Sequence, residues 1–174
     1  MGRILLFGSV NLNAIPADII DWLVTYNSQG HEFIMASHRG ADSAFHKTLS
    51  SIGALDRSTI YCMDKPTNNR YDLKCKVFKT FYNEEDKRAD IVLMQGLDSE
   101  EIDESFEPLT LLHIENQIDI QNNKQYIEFV DRQLIKDCDI AIGLWDNDNN
   151  RVSNMINLLN IYGKPCYTFN VVGE

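Results

Sequence analysis

The segment Ser37-His38-Arg39-Gly40-Ala41-Asp42 puts a cation, a glycine and a carboxylate where an apolar run gives way to a helical pattern. Those residue types suit an anion. Free N–H groups and the dipole at a helix start stabilise phosphate, and glycine lets a backbone approach closely. The Arg39 guanidinium can fork two bonds to phosphate or carboxylate. Asp42 suits either a helix cap or an acceptor for a ribose hydroxyl pair, and His46 follows one turn later on the same side. A plain strand-to-helix turn would use the same glycine and leave Arg39 in water.

Cys138-Asp139-Ile140-Ala141-Ile142-Gly143-Leu144-Trp145-Asp146-Asn147 has the same form, an apolar run entering a polar loop, with Arg151 opening the next helical pattern. Trp145 either stacks on a base or ends its strand in the core. Arg151 either balances a phosphate or neutralises nearby aspartates. Gly8-Ser9 closes a third apolar run and can offer a tight turn and backbone donors beneath a ligand. Asn11 and Asn13 follow it, able to contact a base or to bond to their own loop. The candidate ligand-binding set is therefore Gly8, Ser9, Ser37, Arg39, Gly40, Asp42, Asp146, Asn147 and Arg151.

These loops can meet only if the runs before them are parallel strands of one sheet, which gathers such loops along its carboxyl edge. The patterning supports that. Arg3 to Phe7, Glu32 to Ala36, Ser58 to Met63, Ile140 to Trp145 and Cys166 to Val171 read as buried strands. Helical spacing joins Ile15, Ile19, Trp22, Leu23 and Tyr26 after Pro16, and Ala41, Phe45, Leu49 and Ile52 before Gly53. Two further helices are expected over Gln125 to Lys136 and Arg151 to Tyr162. The order is β-α-β-α-β at the start and α-β-α-β at the end. The fold class expected is α/β, a single-domain Rossmann-like three-layer α/β/α arrangement with a mostly parallel sheet, spanning residues 1–174. Residues 64–123 read as an irregular middle region, in which Asp90 to Gln95 reads as a strand or as part of a helix from near Glu84, with helix preferred.

The chain has 174 residues and a formal net charge of −10, which argues against general nucleic-acid binding. The run Lys74, Lys76, Lys79 is the best candidate for a local basic patch, otherwise a solvated face. Cys62, Cys75, Cys138 and Cys166 form no CxxC pair and have no histidine at metal-ligand spacing, so no metal site is expected. No signal peptide and no apolar run of the ~18 residues needed to span a bilayer are visible. Leu6 stands where myristoylation after Met1-Gly2 wants Ser or Thr. A cytoplasmic location, no membrane partner and no bound cofactor beyond a nucleotide-type ligand are expected.

Together the segments resemble the SLOG superfamily of DprA/LOG Rossmann-like proteins, and more narrowly its small bacterial and phage members. Gly40-Ala41-Asp42 matches the family's Gly-Ala-Asp, with Ser37 and His46 in place of its Asp and Gln. Cys138 to Leu159 resembles the second motif at Asp139, Trp145, Asp146 and Asn154, followed by Gly163-Lys164-Pro165, and Asp131-Arg132 resembles an Asp-Arg one helix upstream. The family's Gly-Thr before the last helix is replaced by Asn149-Asn150-Arg151-Val152. The resemblance implies a nucleotide-derived, phosphate-bearing ligand and self-association into a homo-oligomer through exposed helices.

Three functions fit these readings. The first is binding or sensing of a nucleotide-derived small molecule at the carboxyl edge. The second is an enzyme cleaving or transferring an N-glycosidic bond, using Asp42, Asp146 or His46. Arg151 to Gly163 holds no carboxylate, which excludes a covalent glycosyl intermediate from that helix. The third is a protein-interaction domain whose pocket has decayed.

Overall fold

The computed structural model describes residues 2–36, 40–62, 76–83, 88–93, 111–112, 123–146 and 150–171. Strand β1 (Arg3–Gly8) lies in the interior of an eight-stranded sheet, third from one edge. Helix α1 (Ala17–Ser28) leads to β2 (Glu32–Ala36), and α2 (Ala41–Ser51) leads through a short 3-10 turn to β3 (Ser58–Cys62). Then come β4 (Lys76–Asn83), β5 (Arg88–Leu93), β6 (Leu111–Leu112), α3 (Asn123–Asp137), β7 (Ile140–Trp145), α4 (Asn150–Ile161) and β8 (Cys166–Asn170). The strand order is β6-β5-β4-β3-β2-β1-β7-β8.

The β4-to-β8 stretch of the sheet is parallel throughout, and β5 and β6 add to β4 as antiparallel strands. Strands β1, β2 and β7 are apolar along nearly their whole length because helices cover both their faces. Successive side chains alternate between those faces. Ile4, Leu6, Phe33, Met35 and Ile142 pack with Ile19 and Leu23 of α1 and Phe45 and Leu49 of α2. Leu5, Phe7, Ile34 and Ala141 pack with Val130 and Leu134 of α3 and Met155 and Leu159 of α4. The second layer tolerates a close approach only because position 143 is glycine, where a Cβ would stand 2.5 Å from the ring of Phe7.

The middle region departs from expectation. Residues 64–123 contain β4, β5 and β6, and Asp90 to Leu93, where helix was preferred to strand, lie in β5. Phe81 pairs with Asp90 and Thr80 with Ile91. Ala89-Asp90-Ile91-Val92-Leu93 is too short for its apolar spacing to separate helix from strand; pairing with β4 decided it.

Candidate functional site

The order in which strands are added reverses at β1, which has β2 on one side and β7 on the other, both parallel to it. The loops leaving β1 and β7 therefore diverge, and a crevice forms at their carboxyl ends. Ser9 is fully buried at this point and ties the loops together. Its N–H donates to the Leu144 carbonyl (2.9 Å), and its own carbonyl accepts from the N–H groups of Leu12 (3.3 Å) and Ala41 (3.1 Å). Its hydroxyl accepts from the Asp146 N–H at 3.1 Å. The donors expected beneath a ligand at Gly8-Ser9 and at the start of α2 thus include two, on Ser9 and Ala41, that bond within the protein. Gly8 fits the same junction, where a Cβ would meet the Ala41 methyl at 2.5 Å and the Leu144 carbonyl at 2.8 Å.

Gly40 has φ +76°, in the left-handed region, and begins α2 without a side-chain cap. A Cβ there would run into the backbone of Val10. The backbone that glycine admits is the neighbouring loop of this chain.

Arg151, in the first turn of α4, reaches across the sheet edge. Its Nη2 lies 2.9 Å from Asp131 Oδ1 on α3, and its Nη1 lies 3.9 Å from Asp42 Oδ2 on α2. The Arg151 side chain is 13 % exposed, those of Asp131 and Asp42 4 % and 1 %. Burial opposes the Arg151 charge, but Asp131 and Asp42 outweigh it and hold the guanidinium charged. Burial pushes the Asp131 carboxyl above its ordinary range, with Arg151 pulling the other way. Of the two readings of Arg151, neutralising aspartates describes this contact, but the aspartates come from other helices rather than from its own loop. Asp42 occupies the first turn of α2 as the counter-ion of Arg151, not as the cap.

The structure brings Gly8, Ser9, Gly40, Asp42, Asp146 and Arg151 together; Ser37, Arg39 and Asn147 lie outside the described residues. Asp131, singled out from sequence only as half of the Asp131-Arg132 resemblance and given no role there, carries a direct bond to Arg151. Its signal is a carboxylate flanked by Val130 and Leu134, on the apolar side of an amphipathic helix. Trp145 is half-buried against the α3–α4 layer, as the core reading expects. His46 is half-buried on α2, and Asn11 and Asn13 are exposed. Among the described residues no group of three or more His, Cys, Asp and Glu is placed to hold a metal ion. Cys138 is buried and Cys166 half-buried, and burial pushes both thiols up to about 11.

Against known proteins, the fold has a counterpart. Residues covering 95 % of this chain superpose on DNA processing protein A from Helicobacter pylori with a TM-score of 0.54 at 13 % identity. The fold is Rossmann-like, and similar to that protein's. The match spans 64 % of the length of that chain, so this chain corresponds to a part of it. No protein-family model and no curated protein matches the sequence.

This likeness corrects two expectations. DNA processing protein A has a single-stranded DNA binding mode, whereas the sequence reading expected a small nucleotide-derived ligand. The exclusion of general nucleic-acid binding, drawn from net charge, stands against the same finding. Net charge describes the whole chain, whereas a strand of DNA responds to the charge within a Debye length of its path. Finally, no helix among the described residues is long and apolar enough to cross a membrane.

Proposed function

We propose that this chain is a single-stranded nucleic-acid binding protein, acting in the cytoplasm as one domain of the SLOG type. The observation that carries the reading is the fold it has in common with a single-stranded DNA-binding protein. The sequence supplies a matching local charge. Between residues 65 and 79 stand five cations, Lys65, Arg70, Lys74, Lys76 and Lys79, and one anion, Asp72, in a chain of net charge −10. Tyr71 and Phe78 are interleaved with them. Cations that follow a backbone and aromatic rings on which bases stack are what single-stranded binding requires.

The register supports a path for the strand. Lys79 on β4 pairs with Cys62, the last residue of β3, at the carboxyl edge. From there the edge continues past β2 to Gly8, Ser9, Gly40, Asp42, Asp146 and Arg151 at the switch point, with Ser37 and Arg39 in the loop after β2 and Asn147 in the loop after β7. The proposed interface runs along that edge and turns down β4, where Lys79 is level with the carboxyl end of β3 and Lys76 with Thr59 near its amino end.

The test is fluorescence anisotropy with a labelled oligothymidylate of about 20 nucleotides at several salt concentrations. Binding is expected to weaken with salt, with a log-log slope of about −0.7 for each phosphate neutralised. The triple variant Lys74→Glu, Lys76→Glu, Lys79→Glu is expected to bind about tenfold or more weakly, with a shallower slope. Absence of saturable binding at low salt, or a triple variant that binds like the native chain, overturns the proposal.

A further inference from the structure

Helix α4 packs Val152, Met155, Leu158 and Leu159 into the layer it forms with α3 on the sheet. Its other side faces outward, and Ser153, Asn154, Asn157 and Asn160 are all exposed there. At that spacing they share one side of the helix, over about 10 Å of its axis. A solvated helix side is best filled by strong helix formers such as Glu, Lys, Arg or Ala. Asparagine is a weak one, because its amide competes for nearby backbone groups. The outer side of α4 places an amide where a helix former would serve the helix better. Choices that oppose the local structure are expected where a surface has a task.

These amides are also unspent. On α1 and α2 the exposed hydroxyls of Thr25, Ser28 and Ser51 donate to carbonyls of their own helices. Among the described residues no side-chain hydrogen bond engages Asn154, Asn157 or Asn160.

We infer that the outer side of α4 reads the bases of a bound single strand, with adenine favoured. The inference rests on the nucleic-acid reading above and adds to it a surface that meets bases rather than phosphates. An amide offers a donor and an acceptor side by side, the pattern that adenine presents at N6 and N7. Phosphate oxygens only accept. Charge admits this partner. Helix α4 has one charged residue, Arg151, and none from Ser153 to Ile161, in a chain of net charge −10. By contrast α1 exposes Asp18 and Asp21, which repel a polyanion. Placement agrees. The first turn of α4 stands at the carboxyl edge with Arg151, and Lys79 on β4 lies four strand spacings from β7, roughly 19 Å. A strand of about 20 nucleotides is longer than that even at ~3.4 Å per phosphate. One strand can therefore lay phosphates on β4, cross the edge and turn its bases to α4.

The test compares labelled oligoadenylate and oligothymidylate of about 20 nucleotides by fluorescence anisotropy, on the native chain and on the triple variant Asn154→Ala, Asn157→Ala, Asn160→Ala. The native chain is expected to bind oligoadenylate about fivefold or more tightly than oligothymidylate at the same salt concentration. The variant is expected to lose most of that preference while keeping the native salt slope, because its phosphate contacts lie elsewhere. Alanine is the better helix former, so the variant is expected to melt at the same temperature or higher, and a lost preference is then not a lost fold. A native chain that binds both oligomers alike overturns the inference, and so does a variant that keeps the preference; either result leaves the nucleic-acid reading standing. A native chain that binds neither oligomer overturns that reading and this inference with it.

Discussion

Two arginines each bridge two carboxylates at opposite ends of the sheet, and their surroundings differ. Arg151, at the carboxyl edge, sits between Asp131 and Asp42 with all three side chains at 13 % exposure or less. Arg3, at the amino edge, sits between Glu32 (2.9 Å) and Asp137 (2.7 Å), with side chains 35 to 55 % exposed. Tyr61 donates to the remaining Asp137 oxygen at 3.2 Å, and Asp139 accepts from the Arg3 backbone N–H at 2.8 Å. By contact distance the Arg3 cluster is the tighter of the two. Distance is not what sets its worth. Exposed ions exchange one solvation for another, whereas buried ions have lost water and hold each other in place.

The largest effect that tests this contrast is at Arg151. Arg151→Met leaves Asp131 and Asp42 buried without their cation, and is expected to cost about 3–5 kcal/mol in chemical denaturation. Adding Asp131→Leu and Asp42→Leu to that variant is expected to recover most of the loss, since no charge then remains unpaired. If the single variant is as stable as the native chain, the contrast between the two ends is void.

An intermediate effect concerns Tyr61. Burial, then the Asp137 charge and hydrogen bond, raise its hydroxyl above the ordinary 10.0. The folded chain therefore keeps a proton that the unfolded chain releases above about pH 10. Its contribution is whole below that point and declines as pH rises above it. Thermal melts from about pH 8 to 11 should show Tm falling at the alkaline end, and Tyr61→Phe should flatten that fall. An equal fall in Tyr61→Phe removes Tyr61 from the account.

The smallest effect is at Arg3. Arg3→Ala is expected to cost about 1 kcal/mol or less, and ~1 M salt should erase most of the difference. The Arg151 loss should persist in the same salt, because screening reaches a buried pair weakly. A salt-insensitive Arg3 deficit would mean that the amino-edge cluster acts through packing rather than charge.

Neither cluster was visible in advance as a cluster. Arg151 was recognised as a cation beside a ligand edge, and Asp42 as a cap or ribose acceptor, because each was read within its own loop. Arg151 in fact pairs with Asp131 on α3, in its own layer, and with Asp42 on α2, across the sheet, and sequence spacing reports neither contact between helices. The strand-loop-helix units that hold these residues were legible. Strands β2 and β7 run over the expected residues, and α4 begins and ends one residue before its expected bounds. The 89–93 segment was not, since a short apolar run gives no period to count.

By itself the sequence determined the layered architecture. Apolar runs bounded by Gly and Pro could be buried only as parallel strands under helices, and those strands brought Gly8, Gly40 and Asp146 to one edge. Only the tertiary structure decided what that edge does with its residues. The close approach that Gly40 permits is taken by Val10, and the charge of Arg151 is taken by Asp131 and Asp42. The reason is physical. Backbone pattern and hydrophobic period act along the chain and can be read from it. The partner of a buried charge is whichever group the folded layers place within reach, and burial makes that partner obligatory.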